Sequence, residues 1–131
     1  MPAIPWNLKY TAAPAIECTV GASTGAKEPI MYVIIYQYDV DPANRERFEQ
    51  EYGPAGGWAS LFSRADGYLG SRLYRDVHEA APRYLVLDRW DSHAAFREFM
   101  RQRGVDYRAR NATTRGLYLN ERHVGALEVP G

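Results

Sequence analysis

The run RYLVLDRWDSHAAFREF, Arg83 to Phe99, changes period at its midpoint. Up to Trp90 it reads as a strand, and from Ser92 its apolar residues recur at helical spacing. The same change occurs earlier. IMYVIIYQYDV, Ile30 to Val40, is β-branched and aromatic throughout and reads as a strand. Asp41-Pro42 ends it and starts a helix, with proline in the first turn where its missing N–H does no harm. Phe48 and Tyr52 then fall four apart on one side of Asn44 to Tyr52. Two strand-to-helix switches in one short chain leave few topologies open.

The other segments complete the order. Gly53-Pro54 and Gly56-Gly57 interrupt the first helix, and Trp58, Leu61 and Phe62 form a second short apolar stripe. Gly67 to Arg75 and Arg83 to Trp90 read as strands joined by the loop DVHEAAP. Asp91 or Ser92 can cap the next helix. Phe96, Phe99, Met100 and Arg103 share one stripe of it, Gly104 breaks it, and Val105 to Arg115 adds a polar helical turn or two. Leu117 to Val129 is a last strand. The sum is β-α-β-β-α-β, an α+β ferredoxin-like fold with a four-stranded antiparallel sheet and its helices on one face. Residues 30–131 make up this domain. Residues 1–29 carry Pro2, Pro5, Pro14 and Pro29 without clear period and read as an irregular N-terminal arm. Trp6 and Tyr10 either anchor that arm or lie in a loosely held tail.

Side-chain alternation assigns the two faces of the sheet. Val33 and Ile35 point one way; Tyr32, Ile34, Tyr36 and Tyr38 point the other. If the 76–82 loop is symmetric, Arg75 lies opposite Arg83. Leu69 and Leu73 then join Leu85 and Leu87, while Tyr68, Arg72 and Tyr74 join Tyr84, Val86, Asp88 and Trp90. A one-residue slip swaps the assignments. The helix-free face is aliphatic and needs a cover, and a second copy of the sheet is the simplest one, giving a homodimer. The helix-side face mixes apolar bodies with polar tips. Two arrangements fit it: an aromatic core whose hydroxyls reach solvent at its edges, or an apolar cleft with a few convergent polar groups.

Composition narrows the partners. Of 131 residues, 17 are aromatic, 10 of them Tyr, and 16 basic side chains balance 16 acidic ones. No net field favours nucleic acid or an anionic membrane, and no apolar run approaches the roughly 20 residues that span a bilayer. Cys18 is the only cysteine, which excludes an internal disulfide and a cysteine metal cluster. A cytoplasmic location is the expectation, since MPAIPWNLKY lacks the pattern of a secretory leader. His78, His93 and His123 have no zinc-ligand spacing and read as surface or strand histidines, so no metal is expected.

The segments NRERFEQEYGPAGGWASLFSRADGYLGSRLYRD, RYLVLDRWDSHAAFREF and VGALEV together resemble the antibiotic biosynthesis monooxygenase family over roughly residues 31 to 129. The resemblance implies a dimeric α/β barrel with a pocket between helices and sheet. Some members are cofactor-free monooxygenases of anthrones, quinols and related polyketides, in which the substrate supplies the electrons that reduce O₂. On that pattern Asp88 is the base or hydrogen-bond acceptor, Trp90 a donor and stacking wall, and Tyr36 and Arg72 oxyanion donors. Tyr32, Tyr84, Trp58, Phe62, Phe96, Phe99 and Met100 would line the substrate, with no cofactor. Other members degrade haem with a strand Asn, a strand-ending Trp and a helix His. Of these Trp90 alone carries over, for Tyr36 stands near the Asn position and Met100 and Arg101 near the His position. A non-oxidative cyclase or isomerase of polyketide-type intermediates, and a non-catalytic binding or accessory protein, are the alternatives.

Overall fold

A computed structural model of the chain describes residues 31–130. The expectations for the arm, with Trp6, Tyr10 and Cys18, lie outside the described residues. The elements are β1 (Tyr32–Val40), α1 (Arg45–Tyr52), α2 (Gly57–Phe62), β2 (Tyr68–Arg75), β3 (Arg83–Trp90), α3 (His93–Thr114) and β4 (Tyr118–Glu128). Local chemistry sets their starts. Asp41 accepts from Ala43 N at 2.9 Å, and Pro42 opens a short 3-10 turn before α1. Ser92 rather than Asp91 caps α3, accepting from Ala95 N at 3.1 Å. Helix α3 continues past Gly104 to Thr114, but Arg103 leaves helical geometry (φ −128°, ψ 26°), so the break falls one residue earlier and is a bend.

The strands form one sheet in the order β2-β3-β1-β4, with every neighbouring pair antiparallel. This is the ferredoxin-like α+β fold. Strand β1 is central: Tyr32, Ile34, Tyr36, Tyr38 and Val40 are buried against the helices, and burial alternates from Ile34 on, Val33 being buried as well. The helices return Phe48, Tyr52, Trp58, Phe62, Phe96, Phe99 and Tyr107 to the same cluster. Nearly all of its large members are aromatic, so edge-to-face and tilted ring contacts hold the layer together.

The β2–β3 hairpin departs from the symmetric reading. Asp76 N donates to Arg83 O at 2.8 Å, so Arg75 lies opposite Tyr84 rather than Arg83. The one-residue slip turns Ser71 and Leu73 to the helix side and sends Arg72 and Tyr74 to the outer face. A bulge between Tyr68 and Gly70 then absorbs one residue and restores Tyr68 to a position opposite Trp90. Gly70 takes φ +121° there, a conformation that glycine adopts without strain.

Candidate functional site

Asp88 lies mid-strand on the helix side of β3 and is 3% exposed. The nearby cations, Arg72 and Arg89, are on the opposite face, and Arg89 Nη2 instead donates to Leu69 O at 3.0 Å. The carboxylate is met by a hydroxyl: Ser71 Oγ donates to Asp88 Oδ1 at 2.7 Å, and Tyr68 Oη is hydrogen-bonded to Ser71 Oγ in turn. Burial pushes the Asp88 carboxyl up to about 6, and the Ser71 hydrogen bond only partly opposes this. Tyr36 from β1 and Tyr107 from α3 stand beside it with their hydroxyls paired. Burial raises both phenols far above the ordinary range, and the Asp88 charge adds to the effect. Near neutral pH the site therefore holds un-ionised phenols around one carboxyl that titrates close to physiological pH.

Trp90 lies two residues further along the same face and is fully buried. Phe62, Tyr68, Phe96 and Phe99 box its ring at centroid distances of 5.2–5.5 Å. Its Nε1–H is buried with no hydrogen-bond acceptor among the described residues. Such a donor costs roughly 1–3 kcal/mol when left unpaired, so it marks a place where polar satisfaction has given way to something else. Tyr32 stacks on His93 at 4.5 Å beside this box. His93 is thereby a buried helix residue, neither the surface nor the strand histidine expected from sequence.

The expected site residues thus divide. Asp88, Trp90 and Tyr36 share one face with Phe62, Phe96 and Phe99, and Met100 packs against the same cluster from its edge. Arg72 does not join them. It is exposed on the outer face, because the hairpin slip reversed its side. Tyr84 is on the right face but at its far end, roughly 13 Å along the strand from Asp88 at about 3.3 Å per residue. Its hydroxyl is engaged by Glu49 at 2.5 Å. Trp58 Nε1 donates to Thr114 Oγ1 at 3.3 Å, as does Tyr52 Oη at 3.1 Å, while Thr114 itself donates to Arg110 O. That hydroxyl uses its full capacity, which is the signature of a structural tie. Tyr38 likewise donates to Glu121 at 2.8 Å. The aromatic face is therefore tied by hydrogen bonds at one end and, among the described residues, leaves the Trp90 indole N–H unpaired at the other.

Residues 31–106 match the family described as antibiotic biosynthesis monooxygenase. The chain belongs to that family. Among solved structures it is similar to SnoaB, a cofactor-independent oxygenase from Streptomyces nogalater, at 22% identity and a TM-score of 0.57. That match covers 78% of this chain and 95% of SnoaB. An asparagine-to-alanine variant of SnoaB matches at 20% identity, TM-score 0.58, covering 77% and 94%. PA3566 from Pseudomonas aeruginosa matches at 16% identity, TM-score 0.54, covering 81% and 100%. At these identities the structural matches speak for the fold. No curated protein is significantly similar in sequence.

In this antibiotic biosynthesis monooxygenase family member, three residues next to Asp88 were missed as site residues. Ser71 was not considered: alternation with Leu69 and Leu73 puts it on the outer face, although Gly70 inside a strand is a sequence signal for a bulge. Tyr68 was placed on the right face without a role. Tyr107 continues the α3 stripe eight residues beyond Phe99, in a segment read as polar. Among the described residues no three His, Cys, Asp or Glu side chains converge as a metal site, and no helix is long and apolar enough to cross a membrane. A groove of about 320 Å³ does run between α2 and α3, past Ser60, Arg64, Asp106 and Arg110. None of the expected site residues lines it.

Proposed function

We propose that the protein is a cofactor-independent monooxygenase of an aromatic, phenolic small molecule of the quinol, anthrone or polyketide type. The observation that carries this reading is the pairing of a buried, cation-free Asp88 carboxyl with the unpartnered Trp90 indole N–H in one aromatic layer. Asp88, poised near pH 6, takes the phenolic or C–H proton of the substrate. The resulting electron-rich anion reduces O₂, and the oxygenated product collapses. The Trp90 N–H and the un-ionised Tyr36 hydroxyl are donors for the negative charge that develops on oxygen. Family membership supports the reaction class, and no step needs a metal or flavin.

The rings of Phe62, Phe96 and Phe99 pack on Trp90, and Asp88 is buried on the same face, so a guest reaches them by parting that layer. This sealed packing favours, as a second reading, a non-catalytic binding or accessory role. Oxygen uptake separates the two. With anthrones and hydroquinones, and no added metal or flavin, the oxygenase reading expects O₂ consumption that falls by about 10²-fold or more in Asp88→Asn, the scale of a lost general base. Uptake equal to that of the Asp88→Asn protein would refute it. Turnover that persists without oxygen would instead identify a cyclase or isomerase.

The same reading includes a homodimer through the outer face. Ile35, Leu85 and Leu87 lie there half-buried, with Tyr74 at 49% and Leu127 at 52% exposure. Leu73, expected on that face, turns inward with the slipped hairpin. Arg72 takes the vacated side and stands toward the β2 edge, where a charged rim can stay in water.

A further inference from the structure

The hydrogen bonds around Asp88 have a direction. Ser71 has one hydroxyl proton, and it points at the Asp88 carboxylate. Ser71 Oγ is then an acceptor for Tyr68, so the chain runs Tyr68 O–H to Ser71 O–H to Asp88. Exposure grows along it: Asp88 is 3% exposed, Ser71 is 6%, and Tyr68 is only partly buried. Residues three apart on a regular strand point to opposite faces. Tyr68 and Ser71 reach one face because the Leu69–Gly70 bulge inserts a residue between them. The bulge is held from behind, where Arg89 Nη2 donates to Leu69 O and lies 3.0 Å from where a Cβ on Gly70 would sit.

We propose that Tyr68 and Ser71 form a two-step relay that carries protons between Asp88 and solvent, completed by the bulge at Gly70. The inference rests on the reading of Asp88 as the proton acceptor. After Asp88 gains a proton from substrate, the Ser71 and Tyr68 hydroxyls rotate to point outward, and Asp88 passes that proton to Ser71 Oγ. Ser71 gives its own hydroxyl proton to Tyr68 Oη, and Tyr68 releases its own to water. Three O–H bonds break, three form, and one proton leaves the core. The carboxyl is restored without opening the aromatic layer. Other titratable groups face this line: Tyr36 from β1 and Tyr107 from α3 beside Asp88, with His123 and Glu121 of β4 behind Tyr36, and Arg89 acting on Tyr68. The two phenols stay un-ionised, being raised by burial, and the relay is the route that ends at a residue only partly buried.

The test needs no substrate. The protonated Asp88 carboxyl is followed by its infrared C=O band, assigned by its loss in Asp88→Asn, after a rapid pH jump. Ser71→Ala and Tyr68→Phe should each slow deprotonation by roughly tenfold or more, on the scale of proton-transfer groups. Ser71→Thr, which keeps the hydroxyl, should restore the rate. Ser71→Ala should also raise the titration midpoint by roughly one pH unit, as loss of a hydrogen bond to a charged group requires. An unchanged deprotonation rate in Tyr68→Phe overturns the relay. That variant keeps the ring against Phe62 and Trp90, so it remains decisive if Ser71→Ala fails to fold. Oxygen uptake by the same proteins is scored separately. Slowed deprotonation without any uptake upholds the relay and removes the oxygenase; uptake with unslowed deprotonation does the reverse.

Discussion

Replacing Asp88 with Asn separates a buried charge from the shape that carries it. The carboxyl is 3% exposed, and burial moves its pKa from 3.8 to about 6. A group with a raised native pKa binds its proton more tightly when folded. Below about pH 3.8 both folded and unfolded chains carry the proton, and Asp88 brings no pH-dependent cost. Between 3.8 and about 6 the unfolded chain ionises first, so stability falls as pH rises. Above about 6 the cost is fully present. The gap between 3.8 and about 6 corresponds to about 3 kcal/mol at 1.36 kcal/mol per pH unit. Asn has the same shape, and its Oδ1 still accepts from Ser71, but it never ionises. The assay is urea unfolding of both proteins at one fixed concentration, from about pH 4 to about pH 7.5. Asp39, whose carboxyl the Arg83 hydrogen bond pulls down, tilts stability the other way, but equally in both proteins. The Asn variant should therefore gain on the wild type by about 2 kcal/mol across this range, part of the full cost being already present at pH 4. A constant difference, or one that grows in favour of Asp88, would refute the buried, cation-free carboxyl on which the site reading rests.

Three further perturbations probe the frame around it. Thr114→Val strips the acceptor shared by Tyr52 and Trp58, and should cost about 2 kcal/mol or more in chemical denaturation while leaving the Asp88 titration in place. Gly67→Ala should lower thermal stability by about 1–3 kcal/mol, because Gly67 holds φ +92° and a Cβ would sit 2.7 Å from Ala95 Cβ; an unchanged melting temperature would show that this turn relaxes freely. Leu87→Glu on the outer face should give a folded monomer in sedimentation velocity at micromolar concentration, and a dimer that survives would place the interface elsewhere.

Much of the fold was legible because it rests on period. Strand β1 alternates in burial from Ile34 to Val40, and Asp41-Pro42 and Ser92 mark helix starts by local chemistry alone. Asp88, Trp90 and Tyr36 were legible as neighbours for the same reason, since β1 and β3 pair in unbroken register, Tyr36 opposite Val86 and Tyr32 opposite Trp90. What was not legible is the geometry of the loop between β2 and β3. Whether Arg75 meets Arg83 or Tyr84 depends on one hydrogen bond, Asp76 N to Arg83 O, and the residues of β2 do not decide it. YLGSRLYR offers apolar residues to both faces under either register, so burial could not choose between them.

That ambiguity falls on the strand that supplies the partners of Asp88, and two irregularities together resolve it. The slip alone would bring Ser71 under the helices and turn Tyr68 out, leaving Asp88 with one hydroxyl and no path to the surface. The bulge alone would keep Arg72 inside, opposite Val86 and diagonal to Asp88, where the pair would form a buried ion pair and pull the carboxyl below its ordinary range. With both, the cation leaves and two hydroxyls converge, so desolvation rather than a counter-charge sets the affinity of Asp88 for its proton. Filling the Gly70 position tests that reasoning at its weakest joint. Gly70→Ala must adopt φ +121° with its Cβ 3.0 Å from Arg89 Nη2, so the bulge should straighten or strain. If the bulge is what turns Tyr68 inward, this outer-face change slows proton release from Asp88 as far as Tyr68→Phe does. A Gly70→Ala protein with wild-type release would show that Tyr68 finds Ser71 without the bulge.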